Sequence, residues 1–261
     1  MREFDNVMST ESSASQEINK EEDVMVQNIL VHNIKQLYGD KLAAIDGEIG
    51  HVKDFYFDDE SWAIRYLVAD TGSWLMGRLV LLTPHAFGKL DQSERTFTIK
   101  LQQKQIENSP PIESHKPVSR QFEIEYYGYY GWPPYWDGGG MSGIGPIPVA
   151  LPLLADRITS HPKHKHQEDK HLRSTQAISG YHIQTSDGEI GHIIDFIVDE
   201  KNWTIRDLIV ETGHWYSGKE ILIPSSKVKS ISYDESKVFV GLTKKDIQET
   251  AENEISVHVR A

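Results

Sequence analysis

The chain contains no cysteine. Disulfides, thiolate nucleophiles and thiolate metal ligands are therefore excluded. Basic residues are scarce beside acidic ones: 27 Lys and Arg stand against 39 Asp and Glu, for a formal charge of −12 at pH 7. A surface of that sign repels a phosphate backbone and anionic lipid headgroups, which argues against nucleic acid and acidic membranes as partners. Long apolar runs are missing too. The best candidate, 144–155, is shorter than the ~20 residues a membrane helix needs and is broken by Pro146, Pro148 and Pro152. The first residues lack the basic-then-apolar order of a signal peptide. Together these absences predict a soluble, cytoplasmic protein without membrane insertion. No glycine-rich loop follows a strand and opens a helix, and no serine sits in a nucleophile turn.

What the chain does have, it has twice. Asp46-Gly-Glu-Ile-Gly-His51 returns as Asp187-Gly-Glu-Ile-Gly-His192, and each pair is offset by 141 positions. Asp54, Trp62, Arg65, Gly72 and Trp74 return as Asp195, Trp203, Arg206, Gly213 and Trp215. Roughly 23 of about 71 gaplessly aligned positions are identical, far above chance for one fixed offset. The architecture is thus two copies of one small module. Within each copy, short β-rich runs alternate with turn signals every eight to twelve residues, the pattern of a small barrel or sandwich. Asp46-Gly47 and Asp187-Gly188 read as hairpin turns. Strands are expected at 49–58, 62–70, 79–82, 87–90 and 96–101, and again at 190–199, 203–211, 220–223 and 237–242. A short helix closes each copy, at 102–107 and 243–249, the second capped by Thr243.

These limits divide the chain into a disordered acidic tail (1–32), a first module (33–108), a linker (109–175), a second module (176–250) and a carboxy-terminal tail (251–261). The linker is rich in Tyr, Gly, Pro and His, and it is read as irregular. The fold class is mainly all-β: two β-barrels in tandem, each ending in a short helix.

The repeated Asp-Gly-Glu-Ile-Gly-His, the Asp-Phe pairs at Asp54 and Asp195, the Trp-x-Ile-Arg and Thr-Gly-x-Trp elements, and a Gly before an apolar strand resemble the PRC-barrel family. That family is a small six-stranded β-barrel. It is similar to the cytoplasmic part of the H subunit of purple-bacterial photosynthetic reaction centres and to the carboxy-terminal domain of a bacterial ribosome-maturation factor. The whole chain resembles bacterial proteins with two PRC-barrels joined by a Tyr-rich linker. The resemblance implies binding and scaffolding, with no cofactor. It allows two other roles: a peripheral component of a photosynthetic or electron-transfer membrane complex, or a ribosome-associated assembly factor.

Each candidate site has a bland alternative. Asp46, Glu48, His51 and Asp54, with their second copies, offer acid–base or metal chemistry. Strand alternation instead places the acids and the histidine on opposite faces unless a bulge intervenes, and Asp-Gly is a turn. The structural reading is preferred, so no catalytic residue is assigned and the protein is read as not an enzyme. Arg65 and Arg206 are expected to bridge Asp54 or Asp195, or a carbonyl, rather than bind an anion. Trp62, Trp74, Trp203 and Trp215 are expected to plug the barrel ends. Gly47, Gly50, Gly72, Gly188, Gly191 and Gly213 complete the structural signature. Histidines 161, 164, 166 and 171 (His161, His164, His166, His171) give a weak metal signal in linker sequence. The segment Tyr126, Tyr127, Tyr129, Tyr130, Trp132, Tyr135 and Trp136 is either a docking strip for a protein partner or a cover for a barrel face. The partners expected are proteins. The two barrels themselves are a candidate internal pseudo-dimer, and self-association into a homo-oligomer is an alternative.

Overall fold

The computed structural model describes residues 31–110, 120–134, 171–213, 216 and 218–249. The terminal tails up to 30 and from 250, Tyr135, Trp136, His161, His164, His166 and Trp215 lie outside the described residues. The first copy is led by strand β1 (Val31–Asn33) and one helical turn, α1 (Ile34–Leu37). Then follow β2 (Lys41–Ala44), β3 (Gly47–Asp58), β4 (Ile64–Asp70), β5 (Leu79–Leu82), β6 (Phe87–Asp91), β7 (Thr96–Ile99) and helix α2 (Gln103–Glu107). Helix α3 spans Arg120–Tyr130. The second copy repeats the order: β8 (Leu172–Ser174), α4 (Thr175–Ile178), β9 (His182–Thr185), β10 (Gly188–Asp199), β11 (Thr204–Thr212), β12 (Glu220–Pro224), β13 (Val228–Ser232), β14 (Lys237–Val240) and α5 (244–249).

The chain forms two compact units, one of residues 38–60 and 64–174, the other of residues up to 37, 61–63 and from 175 on. In the first, the ladder runs β5-β4-β3-β2-β7-β6, with β8 added to β3. In the second it runs β12-β11-β10-β9-β14-β13, with β1 added to β10. Each sheet therefore has seven strands, and the fold is mainly β as expected. The sheets are not closed barrels. β5 and β6 are the two ends of their ladder, joined through a 3₁₀ turn at Pro84–Ala86 instead of by strand pairing. Proline at that turn has no N–H to give to a ladder, so the chain bends where a closing strand pair would have to start.

The cores follow from the sequence period. In β4, Ile64, Tyr66, Leu67, Val68 and Ala69 are buried, and in β11 Ile205, Leu208 and Val210 are. Two glycines let the long strand of each copy cross its neighbour. Gly50 has φ +128° and Gly191 φ +155°, and a Cβ on either would lie 2.0 Å from a backbone carbonyl oxygen, of Asp70 and Glu211 respectively. Only glycine tolerates that approach.

Three features of the linker and leader reading are corrected. The stretch read as an irregular linker carries the 11-residue helix α3. Its Tyr-Tyr-Gly-Tyr-Tyr sequence is a poor helix former, and tertiary packing overrides the local preference. The stretch 31–33, placed in the tail and at the module edge, is a strand. It is held by pairing with the other copy's β10 in register Val31↔Asp199, His32↔Val198 and Asn33↔Ile197. Residues 172–174, assigned to the linker, form β8 on β3 in the corresponding register, Leu172↔Asp58, Arg173↔Phe57 and Ser174↔Tyr56.

Candidate functional site

The recurring acids have backbone work. Asp54 Oδ1 accepts the N–H of Phe55 at 2.8 Å, and its Oδ2 accepts the Ser174 hydroxyl at the end of β8. Asp195 Oδ1 accepts the N–H of Phe196 at 2.8 Å and that of Lys35, in the first turn of α1, at 2.9 Å. Both aspartates are buried. Burial pushes the Asp195 carboxyl above its ordinary range, and the two N–H bonds pull part of the way back. Each thus anchors the leader segment seated on its own sheet. Around these anchors each leader also meets an acid: His32 Nε2 lies 2.6 Å from Glu200, and Arg173 Nε lies 2.5 Å from Asp59. His171 belongs to this group, with Nδ1 2.9 Å from Asp59.

Replacing Asp195 with alanine strands two N–H groups at a buried site, so it should destabilise the fold by about 1–3 kcal/mol. Urea unfolding of the two proteins measures this directly. An unchanged midpoint would mean the carboxylate is not the anchor.

Asp46 and Asp187 serve the closing helices. Asp46 Oδ1 accepts the Gln103 N–H at 2.7 Å, and Asp187 Oδ1 accepts that of Lys244 at 3.0 Å. Hydrogen bonds from the Thr185 hydroxyl and then the Lys244 amide hold the Asp187 carboxyl below its usual range. Thr243 caps α5 as expected: its hydroxyl accepts the Asp246 N–H at 3.1 Å, and Asp246 Oδ2 accepts the Thr243 N–H at 2.8 Å.

The histidine and glutamate of the motif do share a face, contrary to strict alternation. Register shifts at Glu189/Gly191 and Ile193/Asp195 insert extra residues into β10, and each bulge reverses the face parity. Glu189 and His192 then stand side by side, half-exposed, with His182 of β9 and Glu211 of β11. His182 Nδ1 is 2.9 Å from Glu189, and His192 Nε2 is 3.5 Å from Glu211. Asp195 is not among them. In the first copy Lys41 takes the place of His182, opposite His51.

Each repeated arginine has an acid of its own unit beside it: Arg65 Nη2 lies 3.9 Å from Asp58, and Arg206 Nε lies 2.7 Å from Asp207. Trp62 and Trp203 are buried, each at a positive φ of 60° and 53°. Trp62 lies outside β4, and its carbonyl accepts the Ile205 N–H at 2.8 Å. Trp74 is partly buried.

The aromatic segment lies on the first sheet. Tyr126 and Tyr127 are buried with Tyr66, Val68 and Leu81, and Tyr130 and Trp132 pack against that cluster. The Tyr126 hydroxyl donates to the Leu81 carbonyl and the Tyr66 hydroxyl to Glu123 Oε1, each at 2.8 Å. Tyr130 stacks on Trp132 with ring centroids 4.4 Å apart, and Trp132 stacks on His85 at 5.6 Å. Burial pushes the His85 imidazole down. Tyr129 remains 43% exposed. Helix α3 thus covers a sheet face and presents a half-exposed aromatic rim. Sequence patterns alone do not reveal the helix, because its apolar face is chosen by the patch it meets.

Burial pushes the Tyr126 phenol well up and raises Tyr130 to about 12. Folded values above the unfolded ~10 mean the unfolded chain loses these protons first, so their stabilisation is intact below pH ~10. It is lost as pH rises from there through about 12. The last part of the tyrosinate absorbance should therefore rise late, in a step coupled to release of α3. A titration with no such late component would contradict the packing.

Among the described residues, no group of three or more His, Asp or Glu side chains is arranged to hold a metal ion, and no helix is long and apolar enough to cross a membrane. Comparison with protein families finds the PRC-barrel domain over residues 176–247. The match falls on the second copy, between α4 and α5, and the leader β8 lies outside it. No curated protein matches the chain. A PRC-barrel domain suggests a protein-interaction module.

Proposed function

We propose that the chain is a non-enzymatic scaffold that binds proteins through two PRC-type modules, the first being a diverged copy of the second. The observation that carries this reading is the use of the shared residues. The repeated aspartates accept backbone and hydroxyl donors that seat a leader strand or cap a helix. They build a shape, and the chemistry of such a shape is recognition. In corresponding registers, each copy's leader completes the sheet built by the other copy's strands, Val31–Asn33 on β10 and Leu172–Ser174 on β3.

The rim of Tyr129, Tyr130 and Trp132 is the candidate docking strip, because rigid aromatics give large contact area at low entropic cost. Affinity capture from native extract tests this with the full chain and a Tyr129→Ser, Trp132→Ser variant. The proposal expects a protein partner in stoichiometric amount with the parent chain and a recovery at least tenfold lower with the variant. No partner above the bait-free control overturns the function. Equal recovery by both chains moves the site elsewhere. Sedimentation of the captured partner with membranes or with ribosomes tells which assembly the scaffold serves.

A further inference from the structure

The row of His182, Glu189, His192 and Glu211 is used by neither the leader anchors nor the aromatic rim. His182 and His192 stand directly opposite each other on neighbouring antiparallel strands, β9 and β10, with ring centroids 6.5 Å apart. Two imidazoles bound to one ion at ~2.0–2.1 Å set their ring centres about 5–6 Å apart. Both side chains are half-exposed, at 51% and 41%, so a modest χ rotation closes that gap without moving the backbone.

The carboxylates point to the same use. Glu189 lies 2.9 Å from Nδ1 of His182, so Nε2 is the nitrogen away from the acid. Glu211 lies 3.5 Å from Nε2 of His192, so Nδ1 is the nitrogen away from that one. Carboxylate–histidine–metal relays are built this way, with the acid orienting the ring instead of binding the ion. Lys237, 3.8 Å from Glu189, tempers the negative charge. We propose that His182 and His192 form a two-imidazole site for a borderline divalent ion (Cu²⁺, Zn²⁺ or Ni²⁺), with Glu189 and Glu211 as positioning residues. Water or a partner's side chain completes the coordination. The first copy lacks the site because Lys41 stands where the second has His182.

The test uses copper(II) chloride and the full chain in which His161, His164 and His166 are replaced by Asn, so that linker imidazoles do not compete. Equilibrium dialysis against a competing chelator gives affinity, and electron paramagnetic resonance counts nitrogen donors. The proposal expects one tightly bound ion with a two-nitrogen signature. His182→Lys, which imports the first copy's residue, and His192→Asn should each lower the affinity at least tenfold, while His51→Asn leaves it unchanged. The metal-free unfolding midpoint of each variant checks that the fold persists, and either variant suffices. Affinity that survives both substitutions overturns the site. So does an equal loss with His51→Asn, or no binding once His161, His164 and His166 are replaced.

Discussion

Gly191→Ala should cost the protein about 3 kcal/mol, enough to consume a large part of an ordinary domain's stability. The new methyl carbon would sit 2.0 Å from the Glu211 carbonyl oxygen and 2.9 Å from its carbonyl carbon and the Thr212 Cα. All three are backbone atoms of β11, held in the ladder by pairing with both β10 and β12. They cannot yield without parting β10 from β11. The positive φ adds strain of its own. Gly50→Ala in the first copy meets the same obstacle, with the Asp70 oxygen at 2.0 Å. Gly72→Ala is the control. Gly72 also has a positive φ, +51°, but nothing lies within 4 Å of its added Cβ. That substitution should cost only the backbone strain, about 1 kcal/mol. Urea unfolding of the three variants separates the terms. Equal losses at Gly72 and Gly191 would mean that conformation, and not the strand crossing, makes glycine necessary.

The second large effect concerns the leaders. A chain cut at a specific protease site inserted at Gly139 should remain one particle. Residues 31–37 of the amino-terminal fragment are seated in the unit of β9–β14, and residues 171–174 of the other fragment are seated on β3. Each seat combines an antiparallel three-residue pairing, a buried aspartate anchor and a side chain bonded to an acid, His32 to Glu200 or Arg173 to Asp59. Joint burial of two such segments should hold the fragments together at micromolar concentration, and size-exclusion with light scattering reads the mass. Two separated fragments would contradict the pairing. Lys35→Pro sharpens the test. It deletes the N–H that Asp195 accepts, so the cut variant should dissociate at concentrations where the cut parent does not.

Much of this was legible beforehand, for a local reason. Most strand positions, the Asp-Gly turns and the Thr243 cap depend on neighbours a few residues away, so alternation and turn chemistry place them to within two or three residues; β2 and β9, ahead of those turns, were not placed. The turn character of Asp46-Gly47 and Asp187-Gly188 was legible too, but the helix amide each aspartate accepts, on Gln103 and Lys244, is far along the chain and was not. The leader segments were harder. Val31-His-Asn33 and Leu172-Arg-Ser174 share no identical residue, so the repeat fades just where the exchange occurs. Asn33 and Ser174, residue types that precede helices, were the available signal. Helix α3 was hidden because its residues resist helix formation in isolation and gain it only against the patch of Tyr66, Val68 and Leu81.

By itself the sequence determined the duplication, the β class, the exclusion of cysteine chemistry and the residues that shape each copy. These follow from composition and from periods of two to four residues. Tertiary structure alone decided which sheet each leader joins, that the first ladder stays open at Pro84, and that Glu189 and His192 share a face. A leader meets two near-equivalent long strands, and nothing nearby in the chain tells it which to choose. A single bulged residue reverses the facing of everything beyond it, and its cost is set by contacts across the sheet.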